Sequence, residues 1–257
     1  MGNLARTIAD DNVQGGSLAI YWLAQAGFVF KNHAGKIVYI DPYLSEVVER
    51  LFGFKRMMAC PLAAEEVLAD LVVCTHEHAD HLDTDALPIV ARNPRTHFAG
   101  PSECVKEFRK MGVPEKRCHL LETGKQLALE GINVHAVYAD HGDLAPDALG
   151  VVLDFDGIKV YHTGDTAYQP EPFRAVAAMH PDVLIPCING RFGNLNSEEA
   201  ALLARDAGAK LTIASHFWMF VEHDGDPASF LEFCRKLAPG VEAVVMKPGE
   251  RLLFRKP

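Results

Sequence analysis

Residues 75–83 read THEHADHLD, which sets His76, His78, Asp80 and His81 within six consecutive positions. No regular element presents all four together. A strand puts His76, His78 and Asp80 on one face and His81 on the other, while a helix splits them into the pairs His76 with Asp80 and His78 with His81. The pattern reads as a loop wrapped around a ligand. Neutral imidazole and carboxylate are donors for zinc and, with more oxygen, for manganese or iron. One or two divalent ions are the expected cofactors, zinc or manganese first, with iron compatible.

Further donors fall where apolar, β-branched runs end. LVVCT runs into His76, INVHAVYAD into His141, IKVYHTG into Asp165, LTIAS into His216 and IVYI into Asp41. Strands lying side by side would bring these endings to one edge, where open α/β sheets place their sites. By donor type, His76, His78 and His141 form one ligand set and Asp80, His81 and His216 a second, with Asp165 bridging. His162, beside the Gly-Asp turn, and Asp41, at an Asp-Pro turn, are expected to support ligands rather than bind metal. His135 is read as a strand residue.

The elements that must position these residues alternate along the chain. Strands are expected at SLAIYWL, GFVFK, KIVYID, DLVVCT, RTHFA, INVHAVYA, ALGVVLDF, IKVYH, DVLIPC, KLTIAS and EAVVM. Helices are expected at AAEEVLA, TDALPIV, SECVKEFRKM, PEPFRAVAAM, NSEEAALLARDA and PASFLEFCRKL, with Asn196 and Glu199 as a capping pair. No linker or composition break interrupts the series. Residues 1–16 read as an N-terminal tail and 17–257 as a single domain. GKIVYIDPY and GIKVYHTGDTAY echo one another, as two related halves would. The expected class is α/β, a four-layer αβ/βα sandwich.

The chain's 257 residues are 49% hydrophobic and 23% charged, with a formal charge of −9. Those values suit a globular domain with a sizeable core. No basic run offers a nucleic-acid footprint, and no apolar run approaches the ~18 residues of a membrane span. The six cysteines form no C-x-x-C pair, so free thiols and a cytoplasmic location are expected. The expected partner is a small anionic substrate, with neither nucleic acid nor membrane, and association into a homo-oligomer stays open.

The H-x-H-x-D-H signature with a later His, Asp and His resembles the metallo-β-lactamase superfamily. YWLAQAGFVFK, THEHADHLD, GVPEKRCHLL, YHTGDTAY and SHFWMF are similar to its L-ascorbate-6-phosphate lactonase group. The resemblance implies the metallo-β-lactamase fold and hydrolysis of a lactone or a phosphorylated sugar-type ester. It leaves a phosphodiesterase or nuclease on the same scaffold as the alternative, and a non-hydrolytic metal-binding or redox member as a second. Two-iron redox relatives carry a carboxylate in place of the second signature histidine, whereas position 78 is His.

Hydrolysis is also what the donors favour. A divalent ion lowers the pKa of bound water to about 7, and a second ion polarises the electrophile. Asp80 and Asp165 are the expected catalytic carboxylates, Asp80 as a proton carrier. Substrate contacts are expected from Tyr168, Arg191, Asn194, Trp218 and His223, in loops that follow the strands. Arg191 offers a planar fork for a phosphate or carboxylate.

Overall fold

The fold is described from a computed structural model covering residues 2–256. In chain order the strands are β1 (Ser17–Trp22), β2 (Phe28–Asn32), β3 (Ile37–Ile40), β4 (Leu71–Val73), β5 (His97–Gly100), β6 (Cys118–Leu120), β7 (Gln126–Leu129), β8 (Ile132–Tyr138), β9 (Leu149–Phe155), β10 (Ile158–His162), β11 (Val183–Ile185), β12 (Leu211–Ile213), β13 (Glu242–Val244) and β14 (Arg251–Arg255). The α-helices are α1 (Asn3–Asp10), α2 (Val47–Phe52), α3 (Leu87–Val90), α4 (Ser102–Lys110), α5 (Pro170–Ala177), α6 (Ser197–Ala207) and α7 (Pro227–Leu237). The chain divides into two compact units, one reaching Leu121 and resuming at Lys247, the other Glu122–Met246.

The first unit carries a seven-stranded sheet in the order β14-β1-β2-β3-β4-β5-β6. Pairing is antiparallel from β14 to β3 and parallel from β3 to β6. Its core gathers Tyr39, Val72 and Phe98 from the sheet with Leu87, Val105 and Phe108 from the helices. Helix α1 lies within the stretch read as a tail. It buries Ala5 and Ile8, and its last carbonyls, Ile8 O and Ala9 O, accept from Lys31 Nζ at 2.8 and 2.7 Å, as helix C-termini require. Asp11, just beyond, accepts from Arg251 at 2.7 and 2.9 Å and from the Tyr21 hydroxyl.

The second unit repeats this plan in the order β13-β12-β11-β10-β9-β8-β7, parallel from β13 to β10 and antiparallel from β10 to β7. The two echoed segments contain β3 and β10, the strands at which each sheet changes from antiparallel to parallel pairing. Tyr161, Val152 and Leu184 pack with Phe173, Val176, Leu203 and Ala204 of α5 and α6. Asn196 caps α6 by accepting from Glu198 N and Glu199 N, and Glu199 accepts from Asn196 N at 2.9 Å.

Several expected elements differ. AAEEVLA forms only a 3-10 turn at Ala64–Glu66, because Glu65 and Glu66 leave it no continuous apolar face. RTHFA starts as strand at His97, with the Thr96 hydroxyl donating instead to Ala69 O at 2.8 Å. Strands β6, β7 and β14 and helices α1 and α2 lie outside the expected set. β7 alternates exposed and half-buried residues and is held by pairing with β8, so its order comes from a tertiary partner rather than local pattern. All six cysteines are free.

Candidate metal centre

In the first unit the signature loop leaves β4 at Cys74 and turns tightly, with His81 N and Leu82 N both donating to His78 O at 2.9 and 2.7 Å. Asp41, immediately after β3 and held at φ 44, is fully buried beneath it. Its carboxylate accepts from Thr75 N and Thr75 Oγ1, both at 2.7 Å, and from His81 Nδ1 at 2.8 Å. This network sets two tautomers. The Thr75 hydroxyl spends its one hydrogen on Asp41, so at its 3.1 Å contact with His76 Nδ1 the imidazole must donate. His76 and His81 therefore both carry their proton on Nδ1 and present the lone pair of Nε2, the arrangement of a metal-ready histidine with a supporting carboxylate or hydroxyl.

Those lone pairs converge with further donors. His76 Nε2 lies 3.0 Å from His78 Nδ1, and His81 Nε2 lies 3.7 Å from Asp80 Oδ2. The His76 and His81 rings approach to 4.0 Å between centroids. Tetrahedral ligands at bond lengths of about 2.0–2.1 Å stand roughly 3.3 Å apart, so the donor spacing suits a cation.

The second unit gathers its donors from three strands that run in the same direction. β8, β10 and β12 lead at their C-terminal ends to His141, Asp165 and His216. Asp165 faces an imidazole with each oxygen: Oδ1 lies 3.2 Å from His216 Nε2, and Oδ2 lies 3.8 Å from His141 Nε2. All three residues are buried. Asn194 Nδ2 donates to Asp165 Oδ2 at 2.6 Å, and His162 Nδ1 accepts from Gly164 N at 3.1 Å, bracing the turn into Asp165. His216 stands at φ 58, with the His223 ring stacked 4.7 Å away.

The remaining expected contacts are placed as follows. Arg191 is exposed and ion-paired with Asp224 at 2.5 Å. Tyr168 donates its hydroxyl to Asp206 at 2.9 Å, and its ring meets Phe173 at 5.8 Å. Trp218 is half exposed, edge-on to Phe217 at 5.8 Å.

Three residues with structural work at the site escaped the sequence reading. Gln25 is fully buried and donates from Nε2 to Asp80 Oδ2 at 2.6 Å. Ala24 and Gln25 both adopt left-handed backbone, at φ 73 and 51, and the Trp22 indole donates to Gln25 O at 3.0 Å. The available signal was a lone amide inside the apolar run YWLAQAGF. Asp83, two positions past the signature, is buried and accepts five bonds, from Leu44 N, Ser45 N, Ser45 Oγ, Asp85 N and Ala86 N. Thr75, as above, transmits Asp41 to His76.

Cys187 is buried, and desolvation first and then the charge of Asp165 push its thiol up to about 12. A thiol so buried is a packing residue. Among the described residues no helix is long and apolar enough to cross a membrane.

Paired imidazole sets and carboxylates at the C-terminal ends of strands, on two sheets of like topology, define a metal-site α/β scaffold. Residues 19–216 match the beta-lactamase superfamily domain, and the chain belongs to the metallo-β-lactamase superfamily. Among its relatives is a metal-dependent hydrolase of Polynucleobacter asymbioticus, 27% identical over 93% of this chain and 87% of the relative. Among solved structures, a metallo hydrolase from the archaeon Ignicoccus hospitalis matches with a TM-score of 0.74 at 24% identity, covering 93% of this chain and 99% of the other. A metallo-β-lactamase fold protein from Bacillus subtilis matches with a TM-score of 0.71 at 19% identity, covering 93% and 100%. The fold is that of the metallo-β-lactamases, an α/β sandwich with two mixed sheets.

Proposed function

We propose that this chain is a metal-dependent hydrolase of small ester-type substrates, a lactone or simple ester foremost, and that both units serve one hydrolase domain. The observation that carries the reading is the Asp165 carboxylate, whose two oxygens each face a buried imidazole. If divalent ions are bound there, a carboxylate so flanked would be placed to hold them. In this reading His76, His78 and His141 hold one ion, Asp80, His81 and His216 the other, and Asp165 both. The family match supports it, because residues 19–216 include both donor sets. Bound ions would supply a nucleophile from water at neutral pH and polarise the electrophile.

The chain's own residues do the rest. Asp41 and Thr75 hold the proton on Nδ1 of His81 and His76 and so keep each Nε2 a donor. Gln25 fixes one oxygen of Asp80, which takes the proton from the attacking water and returns it to the leaving alkoxide. Asn194 holds Asp165 in register. A phosphorylated substrate is less well supported, since Arg191, the one planar cation on these loops read as a phosphate grip, is engaged by Asp224.

The test is a screen of lactones, carboxylic esters, thioesters and phosphodiesters with protein stripped by chelator and reloaded with zinc, manganese or iron. Ester or lactone turnover that disappears on stripping and returns on reloading supports the reading. Turnover that survives complete stripping contradicts it.

A further inference from the structure

The metal donors leave the substrate's remaining atoms unaccounted for, and the loops beside them carry an unusual surface. Within the second unit a cavity of about 300 Å³ is lined by His141, Leu144, Phe192 and Gly193, with Asp140 and Asp143 among its walls. That volume is at the lower end of small-molecule sites. Leu144 and Phe192 are 54% and 47% exposed, and large apolar side chains left in water around a concavity mark a place where something apolar binds.

The loop that presents Phe192 is shaped for it. Phe192 sits at φ 56 between Gly190 at φ 63 and Gly193 at φ 80, a left-handed backbone that phenylalanine adopts only under strain. The strain is held by bonds on either side: Gly190 N donates to Leu195 O at 3.0 Å, Leu195 N to Thr166 O at 2.9 Å, and Asn194 Nδ2 to Asp165. The same loop thus fixes Asp165 with one residue and offers an exposed ring two residues earlier. Leu144 closes the turn Gly142–Leu144 that directly follows His141. Leu144 is tied to a proposed metal ligand by three residues of chain, and Phe192 through the bond from Asn194, two residues on, to Asp165.

Charge narrows the ligand. Among the described residues no lysine or arginine lines the cavity, and two carboxylates do. Asp140 is engaged, accepting from Gln169 Nε2 at 2.7 Å and Gly142 N at 3.3 Å. A phosphate or carboxylate seated against Asp143 would meet like charge with no lysine or arginine in the lining to offset it.

We infer that this cavity is an apolar subsite receiving an uncharged acyl or aryl group, which makes the substrate class a neutral ester or lactone with an apolar side group. The inference rests on the hydrolase reading for its placement beside the reacting bond, and its test separates the two. Metal-loaded protein is assayed on ethyl esters from acetate to octanoate, with monoethyl adipate as a chain of similar length ending in a carboxylate. The wild type should gain about fourfold in kcat/KM per methylene until the cavity fills, and monoethyl adipate should fall at least tenfold below ethyl hexanoate. Phe192→Asn, chosen because asparagine tolerates left-handed backbone, and Leu144→Ser should flatten that dependence. Calorimetric titration with hexanamide reads the subsite without turnover, and affinity should drop about tenfold in each variant. Hydrolysis without chain-length preference, or hexanamide affinity equal in wild type and variants, overturns the subsite. Loss of hexanamide affinity in the variants, with no ester hydrolysed by any form, upholds the subsite and overturns the hydrolase reading.

Discussion

The two units build their donor sets by different means. In the first, four donors sit on one short loop, locked from below by Asp41 and Thr75 and from the side by Gln25. In the second, His141, Asp165 and His216 arrive from the ends of three separate strands, and the loops after β8, β11 and β12 expose Leu144, Phe192, Trp218 and Val221. The first set is prearranged by buried hydrogen bonds. The second combines donors with apolar surface turned to solvent. On the proposed reading this contrast is a division of labour: one set would secure the metal geometry, while the other would also meet the substrate.

The largest expected effects remove a donor from either set. His78→Ala and Asp165→Ala should each cut kcat/KM by on the order of a thousandfold, since several kcal/mol of transition-state stabilisation depend on the ions. Circular dichroism should still report a folded chain, because neither apolar core counts a donor among its members. If the Asp165 variant kept wild-type rates, the second set would be no part of the engine.

Asp41→Ala probes the locking of the first set. It strands the buried Thr75 amide and hydroxyl and frees His81 to change tautomer. Metal affinity should fall about 10–100-fold, read by competition with a chromogenic chelator. Asn194→Ala, which removes one bond to Asp165, should cost less affinity. Equal losses would erase the contrast between the two sets.

Gln25→Leu should lower kcat about tenfold with little change in KM, because it releases a carboxylate rather than a substrate contact. Asp83→Asn should act on stability instead, by about 2 kcal/mol in urea denaturation, since an amide cannot accept all five bonds.

The smallest effect concerns α1. Arg251 first, and then the Tyr21 hydroxyl, hold the Asp11 carboxyl below its ordinary value against some desolvation. A depressed carboxylate contributes stability above its unfolded pKa and loses it as pH falls through the folded one. Acid titration should therefore expose the α1 amides to hydrogen exchange earlier than those of β1, and Asp11→Asn should remove that pH dependence.

Much of the fold was legible because its strands are apolar runs cut by turn residues, and eleven of the described strands overlap the segments read from sequence alone, β2 and β5 each running one residue past theirs. The echo between GKIVYIDPY and GIKVYHTGDTAY was legible too, since each contains the strand where pairing changes sense. What sequence could not carry were elements ordered by distant partners. β14 joins β1 from the far end of the chain, and α1 depends on a lysine in β2. At the site, donor types and spacing could be read from THEHADHLD, but the tautomers could not. That of His76 follows from a hydroxyl hydrogen at Thr75 being claimed by Asp41, 34 positions away, and that of His81 from its own bond to Asp41. Gln25 was hidden for a similar reason, as its meaning lies in a bond to a residue 55 positions on.

The most direct test is anomalous diffraction from crystals of the protein loaded with zinc or manganese. Two peaks about 3.5–4 Å apart are expected, one ligated by His76, His78 and His141, the other by Asp80, His81 and His216, with an Asp165 oxygen on each. An ion held by the signature loop alone, with Asp165 and His216 bound to neither peak, would contradict the account.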